Sequence, residues 1–216
     1  MNLYKFFQYF CEKHKKINLI LSGGKSPLKN YKLMSNQKLN WKNINIFISD
    51  ERICQKNSII SNYKNIKDCF KINNRNLINI NVVNNLNGYR QKFFINQIIK
   101  DVKKKPTLSL IGMGDDGHFA SIFSGSNNYH NLIDVKKKPN FYQIESIGNP
   151  KVKRITMNLS MILNSEKIIL FVKSNKKMKL FENILKNKNS KYPVNFLIKN
   201  GHKKLLLFDG NKITRL

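Results

Sequence analysis

The sequence predicts an α/β protein, with a single domain over residues 1–216 built on an open, mostly parallel sheet that helices cover on both faces. Two observations lead to this prediction. Short apolar runs, each the length of a strand, alternate along the chain with segments of helical periodicity. The runs are apolar at most positions, which is typical of parallel strands buried on both faces. A chain of 216 residues is long enough to bury one such core.

The predicted elements alternate in order along the chain. The first helix is indicated by apolar residues at positions 3, 6, 7, 10 and 11. Ser26 as a capping residue, followed by Pro27, predicts the start of a second helix. Further helices are predicted from the apolar stripes Ile59, Tyr63, Ile66 and Phe70; Ile95, Ile98, Ile99 and Val102; and Leu180, Phe181, Ile184 and Leu185. The predicted strands are residues 17–21, 44–48, 108–111, 167–172 and 205–208.

Composition argues against a membrane protein and against a metal site. No apolar run approaches the roughly 18 residues that a membrane helix requires, and the N-terminal segment lacks the pattern of a signal peptide. The three cysteines, Cys11, Cys54 and Cys69, lie far apart and form no metal-binding pattern. We therefore expect reduced thiols and a cytoplasmic location. We also expect no cofactor and no metal.

The formal net charge of +28 raises the possibility of a nucleic-acid partner. Only five of the 40 basic residues are arginine, the residue that forms bidentate hydrogen bonds with phosphate and guanine. The excess of Lys, Asn and Ile instead resembles compositional drift in an AT-rich genome. We expect weak attraction to polyanions but no specific nucleic acid, and keep a basic nucleic-acid-binding protein on this fold as an alternative.

Three unusual loops follow predicted strands, where open α/β sheets bind their ligands. They are residues 22–26 (SGGKS), Asp50–Arg52 (DER) and residues 112–118 (GMGDDGH). Four of the twelve acidic residues lie in the last two loops. In so basic a chain, this clustering predicts a functional site at the carboxyl edge of the sheet.

The first loop suits a phosphate. Gly23 and Gly24 allow backbone N–H groups to turn towards a ligand, and a helix that begins at Ser26 would favour an anion at its N-terminus. The spacing is not that of a P-loop. A plain glycine-rich turn explains this loop equally well when it is considered alone.

The GMGDDG loop matches a dinucleotide-binding spacing, but two aspartates would oppose a pyrophosphate. We interpret its glycines as shaping a tight loop that presents Asp116 and His118. A carboxylate two residues away can orient the imidazole, and histidine suits general-base catalysis near neutral pH. Arg52 follows two carboxylates, and it could either pair with them or stabilise negative charge on a substrate.

Together these segments resemble the 6-phosphogluconolactonase family. The resemblance covers SGGKSP, ISDERIC, Ser61-Asn62, IGMGDDGHFASIF, RITM (residues 154–157) and SNKK (residues 174–177), in order and spacing. The DER and GMGxDGHxAS motifs are its specific part. It implies the open, Rossmann-like α/β fold shared with sugar-phosphate isomerases and deaminases. It also implies metal-free hydrolysis of 6-phosphoglucono-δ-lactone in the oxidative pentose phosphate pathway.

The resemblance also implies roles for individual residues. His118 would activate the attacking water with Asp116 nearby, and Arg52 would line the pocket beside Asp50. The substrate phosphate would be held by Gly23, Gly24, Ser26, Arg154 and Lys177. Ser26 and Ser174 stand where relatives usually have Thr and Gly, and an N-terminal strand of longer relatives is expected to be missing.

The expected partner is a small sugar phosphate, with the chain acting as a monomer or weak homo-oligomer. The alternative within the same fold is an amino-sugar-phosphate deaminase or isomerase. That family has a DEY-like segment at the DER position and a different sequence after the GH pair. Both differences favour the lactonase.

Overall fold

The computed structural model describes residues 1–55, 57–71, 79–81, 89–187 and 190–216. Within these ranges eight α-helices alternate with ten strands, in the order expected of an α/β protein. The helices are α1 Leu3–Lys13, α2 Lys25–Ser35, α3 Asn62–Lys71, α4 Tyr89–Lys104, α5 Tyr129–Ile133, α6 Leu159–Leu163, α7 Asn175–Lys186 and α8 Pro193–Gly201. The strands are β1 Ile17–Leu21, β2 Ile44–Ile48, β3 Asp50–Arg52, β4 Asn79–Asn81, β5 Thr107–Gly112, β6 Phe141–Ile147, β7 Val152–Met157, β8 Lys167–Phe171, β9 Leu205–Phe208 and β10 Ile213–Arg215.

Seven strands form the main sheet in the order β10-β9-β8-β5-β1-β2-β4. All neighbours are parallel except β10, which pairs antiparallel to β9 at one edge. From β1 the chain first adds β2 and β4 on one side, and β5, β8 and β9 are added on the other. The direction of winding therefore changes between β1 and β5, which is where open α/β sheets form a ligand crevice.

Successive residues of each strand point to opposite faces of the sheet, and helices pack on the apolar side chains of both faces. On one face Leu19 and Leu21 of β1 pack with apolar residues of α1, α2 and α3. On the other face Ile20 packs with the core that α4, α6, α7 and α8 complete. Phe171 of β8 is buried against Tyr31 and Phe208 on the first face. The predicted open, mostly parallel sheet with helices on both faces is confirmed.

A second sheet of three antiparallel strands, ordered β3-β7-β6, lies at the carboxyl end of β2. The chain passes into it through Ser49, which bridges the two sheets. Its N–H donates to Leu21 O at 3.0 Å, and its carbonyl accepts from Met157 N at 2.8 Å. This sheet was not predicted from the sequence. It places β3, which contains the DER motif, directly at the edge of the crevice.

Most predicted boundaries agree with the structure, and three side-chain expectations were wrong. The strands at residues 17–21, 44–48 and 205–208 have the predicted bounds. The strand predicted at 108–111 is one residue longer at each end, and the strand predicted at 167–172 ends one residue earlier. Ser26 does not cap α2, because Gly24 occupies the N-cap position and the helix already begins at Lys25. Ile59 precedes α3 and is 84% exposed, and Leu185 is exposed on α7. In the described ranges no helix is long and apolar enough to cross a membrane.

Tyr31 of α2 fixes the start of the crevice to the sheet. Its ring is fully buried, and its hydroxyl donates to Ser22 O at 3.0 Å and lies 3.5 Å from Leu110 O. Burial raises the pKa of Tyr31 well above its ordinary value, so the phenol remains protonated in the folded protein. Ser22 follows β1 and Leu110 belongs to β5, so one hydroxyl joins the two strands that border the crevice.

We expect Tyr31→Phe to lower the free energy of unfolding by about 1–2 kcal/mol, because Ser22 O would lose a buried donor. The folded-state pKa lies above that of the unfolded chain, so Tyr31 makes stability fall as pH rises above about 10. The variant should lack this part of the loss of stability at alkaline pH. Urea unfolding at pH 7 and pH 10.5 measures both effects. Tyr9→Phe, at a 60% exposed position, is the control and should change neither.

Candidate active site

A cleft of about 700 Å³ opens at the carboxyl ends of β1 and β5 and is closed on one side by the small sheet. Eight of the nine site residues predicted from the sequence line it: Gly23, Gly24, Ser26, Asp50, Arg52, His118, Arg154 and Lys177. Asp116 does not line the cleft but contacts His118 from behind. The two sheets thus bring together residues that are up to 154 positions apart in the sequence.

The first glycine loop places the N-terminus of α2 on the cleft. Gly24 at the N-cap has extended backbone angles, φ −66° and ψ 163°, and no side-chain cap bonds to this helix end. The first backbone N–H groups of an uncapped helix are available to an anion. Ser26 lies in the first turn, and Lys173 Nζ donates to its carbonyl at 3.1 Å. The loop therefore has the geometry of an anion site.

Gly23 lets the loop pack directly against the start of α3. A Cβ atom at position 23 would overlap the side chain of Asn62. Glycine is required here for close approach, and its backbone φ is not in the left-handed region. The wall formed by the SGG loop and the wall formed by α3 are consequently in van der Waals contact.

His118 is held by its own loop from two sides. Its carbonyl accepts from Gly114 N at 2.8 Å, and its Nδ1 forms a short hydrogen bond with Asp116 Oδ1. The imidazole packs against Phe123 with ring centroids 4.2 Å apart. Gly117 adopts a left-handed φ of +72°, which allows the tight turn between Asp116 and His118. The glycines form a tight turn here, and the turn places His118 on the cleft with Asp116 in contact with its ring.

The state of Asp116 fixes the tautomer of His118. Partial burial raises the pKa of Asp116, but the hydrogen bond and charge of His118 outweigh it and lower the pKa to about 2. An ionised carboxylate can only accept hydrogen bonds, so the proton between the two groups belongs to Nδ1. When the ring is neutral, Nε2 therefore carries the lone pair. No described residue forms a hydrogen bond with Nε2.

Asp50 and Glu51 are both buried and fully bonded. Asp50 accepts from Ser49 Oγ at 2.8 Å, from Ser121 Oγ at 2.6 Å and from Asn62 Nδ2 at 3.3 Å. Glu51 turns away from the cleft and accepts from the backbone N–H groups of Asn62 at 2.8 Å and Tyr63 at 2.7 Å, which begin α3. Burial raises the pKa of Glu51, and these backbone donors oppose the rise. Their lone pairs are engaged, so neither carboxylate resembles a free base.

Two arginines face the cleft from the small sheet. Arg52 and Arg154 are paired in the β3–β7 ladder, so their side chains leave the same face. Arg154 donates to Ile147 O at 3.1 Å and Pro150 O at 2.8 Å, and lies over the ring of Phe123. Burial lowers the pKa of Arg154, and the charge of Arg52 adds to the decrease. Two guanidinium groups on one face produce a strongly anion-attracting wall.

Arg52 is not an ion-pair partner of the neighbouring carboxylates in the part of the chain described. Its Nη1 donates to Ile60 O and to Asn62 Oδ1, both at 2.7 Å. Its Nε is buried without a hydrogen-bond partner among the described residues. The sequence left two roles open for Arg52, pairing with the carboxylates and stabilising negative charge on a substrate. This geometry favours the second role.

Lys177 reaches the cleft from the first turns of α7. Its side chain is only 20% exposed, and its Nζ lies 3.7 Å from Asp115 Oδ1. The backbone N–H of Lys177 donates to Ser174 Oγ at 3.3 Å, so the serine that replaces the family's usual glycine caps α7. Lys177 therefore lies on a capped helix end, facing the cleft.

Several residues that line the cleft had no functional role predicted from the sequence. Asn62 is the most connected of them, and its only signal was the Ser61-Asn62 pair within the resemblance. The others are Ile59, Ile60, Asn65, Phe123, Asn149 and Pro150. Among the described residues, no group of three or more His, Cys, Asp or Glu side chains is arranged to hold a metal ion.

Comparisons with known proteins agree with this geometry. The model of the family described as glucosamine-6-phosphate isomerases/6-phosphogluconolactonase matches residues 2–207. The 6-phosphogluconolactonase of Helicobacter pylori is 30% identical over 188 residues, covering 84% of this chain and 78% of the relative. That of Thermotoga maritima is 29% identical over 181 residues, covering 82% and 78%. A crystal structure of the Thermotoga maritima protein superposes with a TM-score of 0.76, covering 96% of this chain and 93% of that one, at 27% identity.

Gly114→Ala should displace His118, because the added Cβ would overlap the imidazole. We expect a loss of about 1–3 kcal/mol in unfolding free energy, typical of overpacking, and a shift of the His118 ring resonances in NMR spectra. Gly112→Ala is the matched control, since its Cβ would meet no atom within 4 Å. Equal effects of the two substitutions would show that the loop does not hold the ring in this position.

Proposed function

The chain belongs to the family of glucosamine-6-phosphate isomerases and 6-phosphogluconolactonases, and we propose that it is a 6-phosphogluconolactonase. It hydrolyses 6-phospho-D-glucono-1,5-lactone to 6-phospho-D-gluconate in the oxidative pentose phosphate pathway. The matched relatives from Helicobacter pylori and Thermotoga maritima both carry this name. The observation that carries the proposal is the imidazole of His118, oriented by ionised Asp116 in a cleft that also contains Arg52, Arg154 and Lys177.

Water is the nucleophile in the proposed mechanism, and His118 is the general base. Nε2 accepts a proton as water attacks the lactone carbonyl and forms a tetrahedral intermediate. The C–O bond to the ring oxygen then breaks, and the proton passes from His118 to that oxygen. The open-chain product therefore carries a hydroxyl group at the former ring oxygen and a carboxylic acid at the former carbonyl, and the acid ionises. A lactone is an activated ester, so no covalent nucleophile is required.

Asp116 keeps the imidazole in the tautomer and orientation that this step requires. Its pKa of about 2 means that it is ionised throughout the range in which histidine titrates. Asp50 has a different role. Because its oxygens are occupied by Ser49, Ser121 and Asn62, it fixes the position of β3 and does not remove a proton.

The phosphate of the substrate binds between the N-terminus of α2 and the cations. Gly23, Gly24 and Ser26 belong to the helix start, which favours an anion. Lys177 and Arg154 add charge-assisted hydrogen bonds from the other walls. A phosphate held in this way would act as a handle that keeps the lactone carbonyl near His118.

The partner is a small sugar phosphate, and the proposed reaction requires no cofactor or metal. We place the protein in the cytoplasm, where the pathway operates, as a monomer or weak homo-oligomer. No specific nucleic acid is part of the function, because the cationic groups in the cleft are explained by a sugar phosphate.

His118→Asn should reduce turnover of 6-phosphogluconolactone by about 10²–10⁴-fold, because it deletes the base while approximately keeping its size. Binding of 6-phosphogluconate should change little. The rate is followed in purified protein against spontaneous hydrolysis, with and without a chelator.

Several results would contradict this mechanism. Near-wild-type turnover in a folded His118→Asn protein would place the base elsewhere. Activity lost in chelator and restored by metal would exclude a metal-free reaction. Wild-type protein that gives no acceleration, but releases ammonia from glucosamine 6-phosphate, would replace the lactonase by the isomerase branch of the family.

Lys177→Ala should weaken binding of 6-phosphogluconate by about 10- to 100-fold, from the loss of one charge-assisted hydrogen bond. Hydrolysis of unphosphorylated gluconolactone should change much less. Lys176→Ala is the matched control, because its Nζ also lies near Asp115, at 3.4 Å, but its side chain does not line the cleft. Arg154→Ala should resemble Lys177→Ala in this comparison. Equal losses on both substrates would assign these residues to the fold.

A further inference from the structure

Asn62 binds all three residues of the DER strand. Its Nδ2 donates to Asp50 O at 2.7 Å, its backbone N–H donates to Glu51 Oε1 at 2.8 Å, and its Oδ1 accepts from Arg52 Nη1 at 2.7 Å. The residue is 1% exposed although it lines the cleft. An amide is needed for this arrangement, because a carboxylate lacks the donor and an apolar side chain lacks both groups.

These contacts determine which edge of Arg52 remains available. The two N–H groups of Nη1 are taken by Asn62 and the carbonyl of Ile60. No hydrogen bond joins Nε or Nη2 to the described residues, and Nε is buried. Arg52 thus lines the cleft with an Nη2 group that can donate to an anion, while its Nε is enclosed by protein.

Arg52 also requires restraint because Arg154 stands opposite it in the β3–β7 ladder. Like charges that face each other across a ladder repel, and an unrestrained Arg52 side chain would rotate away. Asn62 Oδ1 and Ile60 O hold its Nη1 against that repulsion. Asn62 cannot retreat, since its side chain packs on the backbone of Gly23.

We propose that Asn62 is a positioning residue that holds the guanidinium of Arg52 so that its Nη2 group faces the anionic oxygens of the sugar phosphate. The inference rests on the proposed lactonase function for the identity of the substrate. Asn62 does not touch the substrate in this role, and its effect on the reaction passes through Arg52. When Arg52 has already been removed, removal of the Asn62 amide should therefore have no further effect on the reaction.

A double-mutant cycle tests the proposal with 6-phosphogluconolactone turnover and 6-phosphogluconate binding as readouts. Asn62→Leu should lower kcat/KM by about 10- to 100-fold, divided between kcat and KM in the same way as in Arg52→Ala. In the Arg52→Ala background the same substitution should cost less than about 3-fold, because coupled residues are not additive. Asn62→Ala, which leaves room for water, is the second variant and should behave alike.

Asn18→Leu is the matched control. Asn18 is also a buried amide that uses both groups, since Nδ2 donates to Asp101 O at 2.9 Å and Oδ1 accepts from Asn45 Nδ2 at 3.2 Å. It lies near the amino end of β1, away from the cleft. The control should lose stability and keep the kcat/KM of the folded wild-type protein.

Other outcomes separate this inference from the proposed function. If wild-type protein hydrolyses the lactone and Asn62→Leu retains its kcat/KM, or if the losses are additive with Arg52→Ala, only the positioning role is wrong. Loss of the fold in both Asn62 variants would also overturn it. If the wild type shows no turnover, the lactonase proposal fails. The double-mutant cycle is then measured by the binding of 6-phosphogluconate in calorimetry. Absence of that binding would refute the positioning role as well.

Discussion

The cleft depends on two carboxylates that are buried where the chain passes from the main sheet to the small one. A buried charge is tolerated only when hydrogen bonds replace its hydration. Asp50 takes its donors from the end of β2, from the loop after β5 and from α3, and Glu51 takes backbone donors from the start of α3. Because the donors come from three different segments, solvating these charges brings the segments together.

The sequence predicted the main sheet well because its signal is local. Runs such as Ile17–Leu21 are buried along their whole length, and apart from Asn18 that burial is visible as consecutive apolar residues. The small sheet has no such signal. Phe141–Ile147 is buried only at intervals, is interrupted by an irregularity in its pairing, and contains Gln143 and Glu145. Its partner β3 has three residues, which is too short for any periodicity.

The candidate site was predictable in part for the same reason. His118 and the glycines around it occupy one loop, so spacing alone suggested an oriented imidazole. Asn62 could not be recognised in this way, because one asparagine among so many carries little information. Its importance arises from contacts with Gly23, Asp50 and Arg52, which lie 10 to 39 positions away and meet only in the folded chain. Ser26 as a cap was wrong because the extended backbone of Gly24 starts α2 earlier.

The partly exposed pair of His118 and Asp116 has a consequence for proton balance. Lactone hydrolysis turns a neutral ester into a carboxylate, so each cycle must deliver one proton to bulk water. The side chain of His118 is 29% exposed and that of Asp116 62% exposed, so water reaches the place where the carboxylic acid of the product forms and can take up its proton. No internal relay through the protein is needed for the proton to leave. Buffers in the medium can accept it at the mouth of the cleft.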